Sequence, residues 1–232
     1  MPTLLLRLQG PMQSWGTASR FDYYRDTGLE PSKSGVLGLL CAASGRDRHQ
    51  PIDDLAALRM GVRVDREGVI RYDYQTAMDV LRAKGDLDPD PRKGTVQSRR
   101  YYLADAAFLV GLEGPQRGLL ERLQMALANP RWPLYLGRKG YLPSPPVWLP
   151  DGLVDAPLEE ALAHYPPLSE PAPQRYRYAL EEPAGAAVPE GSLATRVRRT
   201  DQPLGPFAQR RFGDRYVWIV VAERGKVPHV PL

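Results

Sequence analysis

Short apolar runs alternate with polar turns along the first 130 residues, and their lengths predict a series of strands and helices. Residues 3–9, Thr-Leu-Leu-Leu-Arg-Leu-Gln, form an apolar run that predicts a strand. Residues 35–44 predict a largely buried helix, because apolar positions recur on most of its circumference. Pro31, Ser32 and Ser34 supply the entry signals of this helix, and Gly45 supplies its stop.

The next segments continue the same alternation. Residues 60–65 and 69–74 read as two strands joined by a turn at 66–68, which is a hairpin signal. Further elements are predicted at residues 53–58 (one helical turn), 106–112 (strand) and 116–128 (amphipathic helix). This order favours an α+β fold of the ferredoxin-like kind.

The composition of the chain changes after residue 130, where prolines become frequent. The periodic segments that remain are strands at 175–180 and 216–222 and a short helix at 158–164. We therefore expect a main domain over residues 1–144 and a small β-rich C-terminal domain over residues 145–232. Within the main domain, residues 82–94 have almost no apolar content and two prolines, which predicts a long exposed excursion.

Composition places the 232-residue chain among ordinary globular proteins, with 43% apolar and 25% charged residues. No apolar run reaches the roughly 20 residues of a membrane span. The first residues lack the charged segment of an export signal, so we expect a cytoplasmic protein without membrane contact. The single cysteine, Cys41, excludes an internal disulfide and a cysteine-based zinc site.

Enzyme signatures are missing from the sequence. His49, His164 and His229 lie in different neighbourhoods, and none has metal-ligand spacing to another histidine. Nucleophile-elbow, P-loop and dinucleotide-binding motifs do not occur. We predict no metal, no cofactor and no catalytic residue. A metal-independent ribonuclease that uses scattered tyrosine, lysine and histidine residues stays open as an alternative.

The formal net charge is +4, and its distribution is uneven. Residues 191–215 contain six arginines against two aspartates, so this segment accounts for the whole excess. Arginine neutralises phosphates and stacks on bases, and a local cluster of arginines indicates a nucleic-acid partner better than global charge does. An ordinary solvated surface is the competing interpretation.

Three segments interleave basic and aromatic residues in the way that RNA-binding surfaces do. Their candidate contacts are Arg99, Arg100 and Tyr101 in the first, Arg138 and Lys139 in the second, and Arg210 and Arg211 in the third. A fourth candidate is the loop between Gly10 and Gly16. There Gln13, Ser14 and Trp15 would offer a flat face to a base, unless the tryptophan is partly buried in a tight connection.

The motifs together resemble those of the CasD family, the RAMP-fold subunits of type I-E CRISPR Cascade complexes. The matching segments follow one another along nearly the whole chain: Leu-Arg-Leu-Gln-Gly-Pro-Met-Gln-Ser-Trp-Gly at 6–16, Pro-Ser-Lys-Ser-Gly-Val-Leu-Gly-Leu-Leu at 31–40, Arg-Tyr-Tyr-Leu-Ala-Asp-Ala-Ala-Phe at 100–108 and Tyr-Leu-Gly-Arg-Lys-Gly at 135–140. The resemblance implies a ferredoxin-like (RRM/RAMP) domain with an extended thumb at about residues 76–100 and a small C-terminal β-rich domain.

The resemblance also implies a function. It predicts an RNA-binding subunit that caps the 5′ handle of CRISPR RNA beside the backbone subunit CasC and the large subunit CasA. Gln13, Ser14 and Trp15 would contact the handle, together with Lys33, Ser34 and Gly35 at a helix N-terminus, where free N–H groups attract phosphates.

Related subunits of another CRISPR subtype cleave precursor RNA, but here no histidine follows Arg138 and Lys139. We therefore predict a non-catalytic subunit. A metal-independent endoribonuclease that matures the RNA is the alternative. A protein-only scaffold is a third possibility, although it leaves the basic and aromatic segments without a role.

Overall fold

The computed structural model describes residues 1–16, 23–80, 94–183 and 194–228, and these form an α+β fold with two sheets. The α+β prediction is therefore confirmed. The helices are α1 (Lys33–Ser44), α2 (Asp53–Ala56), α3 (Arg117–Ala128) and α4 (Leu158–His164), with one 3-10 turn at Phe207–Gln209. Within the described residues, no helix has the length and apolar character that crossing a membrane requires.

The strands in chain order are β1 (Thr3–Gln9), β2 (Met12–Gln13), β3 (Tyr24–Arg25), β4 (Arg59–Arg66), β5 (Val69–Ala77), β6 (Val96–Ala104), β7 (Ala107–Glu113), β8 (Leu153–Val154), β9 (Arg175–Glu181), β10 (Thr195–Pro203) and β11 (Phe212–Glu223). Seven of them form the first sheet, in the order β10-β11-β9-β4-β7-β1-β8. All six pairings in this sheet are antiparallel.

The first sheet is covered on both faces, and the alternation of side chains along β1 shows this directly. Leu4, Leu6 and Leu8 join a large core cluster that also contains residues of α1 and α3. Leu5 points the other way, into a second cluster with Leu158 and other residues of α4. Burial on both faces explains why β1 reads as a nearly continuous apolar run, because neither side of the strand needs polar residues.

Helix α1 ends where the sequence predicts and begins two residues earlier, at Lys33 instead of Gly35. The Ser32 side chain accepts a hydrogen bond from the Gly35 amide at 3.3 Å, which satisfies one free donor of the first turn. Gly45 has a φ of 68°, and its amide donates to the carbonyl groups of Cys41 and Ala42. A left-handed glycine at this position is a common way to end a helix.

The second sheet contains β2, β3, β5 and β6. The hairpin predicted across residues 66–68 is wrong: β4 pairs with β7 and β9 in the first sheet, whereas β5 pairs with β6 in the second. Gly68 has a φ of 73°, and a Cβ there would lie 2.7 Å from the Ala104 carbonyl oxygen. The chain therefore makes its tight turn against β6 and leaves the first sheet.

Strands β5 and β6 form a long antiparallel hairpin, in register from Val69 opposite Ala104 to Ala77 opposite Val96. The thumb predicted at about 76–100 falls on the far half of this hairpin, and its residues 81–93 lie outside the described part of the chain. The domain boundary near residue 144 stays a prediction. Strands β9 to β11, which follow it, extend the first sheet by the pairing of β9 with β4.

Candidate nucleic-acid interface

The loop that carries Gln13, Ser14 and Trp15 is packed inside the protein. Trp15 is only 1% exposed, and its indole Nε1 donates to Gln13 Oε1 at 3.2 Å. Gln13 Nε2 donates in turn to the carbonyls of Leu8 and Ala106 at 3.0 and 2.8 Å. The three side chains therefore fasten the loop to β1 and β6, and Trp15 has no exposed face for a base, as the tight-connection alternative expects.

The N-terminus of α1 is also occupied from within. The Lys33 amide donates to Asp201 Oδ2 at 2.7 Å, so a carboxylate of β10 takes the position expected for a phosphate. Gly35 lies against Trp15, because a Cβ added to it would lie 2.9 Å from the indole Cε3. Ser34 beside them is half-buried.

The Lys33 ammonium is buried in an ion-pair network instead of facing a ligand. Lys33 Nζ lies 2.8 Å from Glu181 Oε1, and Arg215 holds Asp201 through bonds of 2.7 and 2.9 Å. Burial lowers the pKa of Lys33, and the neighbouring Glu181 carboxylate opposes this effect. The network joins α1 to β9, β10 and β11, which is a structural role.

The arginine-rich segment around β10 and β11 carries less free charge than its sequence indicates. Its ion pairs include Arg196 with Glu182, Arg198 with Asp214, Arg199 with Glu30, and Arg215 with Asp201 and Glu181. The carboxylates of Glu30, Glu181 and Glu182 come from outside the segment, so a count along the sequence does not reveal this neutralisation.

Arg99 lies at the centre of a group of tyrosines on the second sheet. Its guanidinium carbon is 5.5 Å from the ring centre of Tyr72, 5.8 Å from that of Tyr23 and 5.9 Å from that of Tyr24. These distances are within the range of cation–π contacts. The Tyr72 ring also lies 5.7 Å from that of Tyr101.

The register of the strands places these groups on one face. Tyr101 is opposite Tyr72, and Arg99 is opposite Tyr74 on one side and Tyr24 on the other. Paired residues point to the same side of a sheet. We call Tyr24, Tyr72, Tyr74, Arg99 and Tyr101 the tyrosine–arginine surface. Its three tyrosines on β3 and β5 are half exposed, at 50–53%.

Three further predicted basic residues lie on β6 and on the segment after α3. Arg100 is half-buried on the opposite face of β6, where its Nε donates to Ser98 Oγ at 3.1 Å. Arg138 reaches β3, because its Nη2 donates to the Arg25 carbonyl at 3.4 Å and its Nη1 donates to the Tyr141 hydroxyl at 3.0 Å. Lys139 follows it and is exposed.

Arg210 and Arg211 lie elsewhere, after the 3-10 turn at Phe207–Gln209, and both are exposed. The Ala208 amide donates to the Arg48 carbonyl at 2.9 Å, which attaches this turn to the segment that follows α1. The structure thus brings Arg99, Arg138 and their neighbours together and separates Arg210 and Arg211 from them.

Sequence reasoning missed the tyrosines of β5 and β3. Tyr72 and Tyr74 follow Ile70 with a period of two, which is the pattern of one face of a strand. This signal is visible in the sequence. It does not reveal that β6 is the partner strand, and without β6 the tyrosines have no connection to Arg99.

Metal chemistry has no support among the described residues, which contain no cluster of three or more histidine, cysteine or acidic side chains that could hold an ion. His49 lies between α1 and α2, and His164 ends α4. Neither histidine lies on β3, β5 or β6, the strands that carry the tyrosine–arginine surface.

Comparisons with known proteins agree with one another. Residues 3–218 match a family model described as CRISPR-associated protein Cas5. The chain is 35% identical over 178 residues to the CRISPR system Cascade subunit CasD of Escherichia coli strain K12, covering 71% of this chain and 77% of that protein.

Two solved structures are similar over nearly the whole chain. One, described as a crystal structure of a Cas protein, is 52% identical with a TM-score of 0.75, covering 99% of this chain and 100% of that chain. The other, described as a CRISPR RNA-guided surveillance complex, is 33% identical with a TM-score of 0.75, covering 99% and 92%. The matched family model spans both sheets and most of β11, and the chain belongs to the Cas5 family of CRISPR-associated proteins.

Proposed function

We propose that this chain is a non-catalytic, cytoplasmic subunit of a CRISPR RNA-guided surveillance complex, and that its tyrosine–arginine surface binds the 5′ handle of CRISPR RNA. The similarity to a Cascade CasD subunit and to a chain of a surveillance complex supports membership in such an assembly. CasC and CasA are the expected protein neighbours.

The observation that carries the RNA assignment is the position of Arg99 among exposed tyrosine rings. A guanidinium group neutralises phosphate, and half-exposed tyrosines provide flat faces on which unpaired bases stack. The described part of the chain combines these groups on one sheet face, with Tyr72, Tyr74 and Tyr24 each about half exposed. An unpaired RNA segment satisfies both chemistries at once, whereas duplex RNA hides its base faces.

The ferredoxin-like interpretation of the fold is supported by topology. The units β1–α1–β4 and β7–α3–β8 follow each other, and the corresponding strands lie in the order β4-β7-β1-β8. In this arrangement the β5–β6 hairpin leaves the main sheet between β4 and β7. The far half of the hairpin is the candidate for the predicted thumb, and the pairs Tyr72–Tyr101 and Tyr74–Arg99 lie in the middle of the hairpin.

The non-catalytic assignment is supported by what surrounds Arg99. The described histidines, His49 and His164, lie on other elements. RNA cleavage without a metal needs a positioned acid and base near the scissile phosphate.

Binding of a labelled handle RNA to the purified full chain tests the RNA assignment. The double variant Tyr72→Ala with Arg99→Ala should bind at least tenfold more weakly, because one stacked base contributes about 1–3 kcal/mol. Arg122→Ala on the exposed face of α3 is the matched control and should bind like wild type. Equal binding by the double variant and wild type would show that the RNA does not bind to this surface.

Incubation with precursor CRISPR RNA, in EDTA and in magnesium, tests the catalytic assignment. We expect no specific cleavage at the repeat. Cleavage that a single substitution in this chain abolishes would establish the endoribonuclease alternative. Co-expression with CasC and CasA tests the assembly, and recovery of a complex without this chain would contradict it.

A further inference from the structure

A second basic surface lies at the opposite end of α1 from the Trp15 loop. The chain after Gly45, the segment after α3 and the turn after β10 meet there. The amides of Arg131 and Trp132 donate to the carbonyls of Ala43 and Ala42 at 2.8 and 3.2 Å. The Ala208 amide donates to the Arg48 carbonyl, as described above, so three distant segments are joined by backbone hydrogen bonds.

These segments carry exposed basic side chains and one exposed indole. We call the group the Trp132 surface, and its members, all exposed, are Arg48, His49, Arg131, Trp132, Arg210 and Arg211. Trp132 is 43% exposed, although a buried indole would stabilise the fold more. The nearby acids are partly engaged, since Asp54 pairs with Arg46 and Asp47 accepts from the His49 amide at 2.8 Å.

The Trp132 surface is separate from the tyrosine–arginine surface. Trp15, whose loop continues toward β3, packs on Gly35 in the first turn of α1, whereas the Arg131 side chain packs on Gly45 at its C-cap. These glycines are ten residues apart, which corresponds to about 15 Å along a helix. The Trp132 surface and the Trp15 loop therefore lie at opposite ends of α1.

We propose that the Trp132 surface binds a second segment of single-stranded nucleic acid, beyond the handle contact proposed above. Exposed arginines together with an exposed indole combine phosphate neutralisation with a stacking platform, and this combination suits unpaired bases. Duplex DNA would contact only the arginines, through its phosphates, because its bases are stacked on one another and cannot stack on the indole. RNA and single-stranded DNA present the same phosphates and base faces.

Fluorescence titration of the full chain is the direct test, because the other tryptophans are shielded. Trp15 and Trp218 are 1% and 2% exposed, and Trp148 is half-buried. Single-stranded RNA and DNA of one sequence, and the corresponding DNA duplex, serve as probes. Single strands should quench the emission, and Trp132→Phe should lose most of the change. A difference in affinity between the RNA and DNA strands identifies which nucleic acid the surface prefers.

A charge variant gives a second readout. Arg131→Gln with Arg211→Gln should lower the slope of log K against log salt by about 1.4 and weaken single-strand binding roughly 25-fold at about 0.1 M salt. Arg117→Gln with Arg122→Gln on α3 removes the same charge and should leave the slope unchanged. Tyr72→Ala should retain the quenching of Trp132 emission. Failure of the proposal for the handle is therefore distinguishable from failure of the proposal for the Trp132 surface.

Three outcomes would overturn the proposal. They are an unchanged salt slope in the Arg131 and Arg211 variant, tighter binding of the duplex than of either single strand, and normal nucleic-acid binding combined with a loss of assembly with CasC or CasA. The last result would assign the Trp132 surface to a protein partner.

Discussion

The loop before β3 and the β5–β6 hairpin contain similar residue types, yet the structure uses them in opposite ways. In the loop, Trp15 and Gln13 are fully buried and hydrogen-bonded to each other. In the hairpin, Tyr72 and Tyr74 are half exposed beside Arg99. An aromatic residue near polar groups is therefore a stability element in one region and a candidate ligand contact in the other.

The difference arises from what covers each region. Helix α1 packs over Trp15, and Gly35 permits this close approach because it has no side chain. Among the residues that the structure describes, strand β5 has no such cover: each of its nine residues is exposed, and it pairs with β6 alone. The comparison predicts that substitutions in the loop change stability, whereas substitutions on the hairpin face change RNA affinity.

The largest expected effect is the loss of stability in Trp15→Ala. Removing a buried tryptophan leaves a cavity and one unsatisfied partner, Gln13 Oε1, at a cost of about 3–5 kcal/mol in the free energy of unfolding. Denaturant unfolding followed by circular dichroism measures it. Trp132→Ala is the matched control, since this half-exposed indole should change stability by less than about 1 kcal/mol. Similar losses of unfolding free energy in the two variants would show that the different burial of Trp15 and Trp132 does not determine their contributions to stability.

The next effect is the loss of RNA affinity in Tyr72→Ala with Tyr74→Ala. Two lost stacking faces should weaken handle binding by about 1–3 kcal/mol for each stacked base, whereas the free energy of unfolding should change little because both rings are half exposed. Binding and unfolding are measured on the same preparation. A large loss of stability with unchanged affinity would reverse the roles of the two regions.

Local sequence pattern predicts the elements of this fold better than their partners. The bounds of β1, α1 and α3 follow from apolar periodicity and caps within each segment. The separation of β4 from β5 does not, because a turn at Gly68 is compatible with a hairpin and with a change of sheet. The burial of Arg63 does not follow from the local pattern either. Arg63 alternates with valines, as a surface residue of a strand would, but it is fully buried, and its Nε lies 2.8 Å from Asp65 Oδ1.

The sequence predicts the members of the candidate site on β6, Arg99 and Tyr101, but not the tyrosines on β3 and β5. Arg99, Arg138 and Lys139 were identified from their aromatic neighbours in sequence, and they lie on or beside one surface. The burial of Lys33 was not predictable, since its partners Glu181 and Asp201 are 148 and 168 residues away in the sequence. Sequence patterns report neighbours within a segment, whereas a buried ion pair depends on which strands meet.

A smaller effect is expected for Lys139→Gln, which removes one exposed charge beside the tyrosine–arginine surface. If Lys139 contacts one phosphate, the slope of log K against log salt should fall by about 0.7. Handle binding measured at several salt concentrations gives this slope. Arg122→Gln on α3, which removes an equal charge, should leave the slope at the wild-type value. A slope unchanged by Lys139→Gln would place this lysine outside the RNA contact.

The smallest expected effect is a pH dependence of stability that comes from Lys33. Its pKa is lowered by burial, so between the folded-state pKa and about 10.5 the unfolded chain binds more protons than the folded one. Stability contributed by this residue therefore rises with pH across that window. The Glu181 carboxylate favours the charged amine and keeps the effect small. Chemical unfolding of wild type and Lys33→Met at about pH 7 and about pH 10 measures it, because subtraction removes the groups that the two proteins share. The stability difference, wild type minus variant, should increase toward pH 10. A decrease would mean that the ion pair with Glu181 outweighs desolvation and raises the pKa of Lys33.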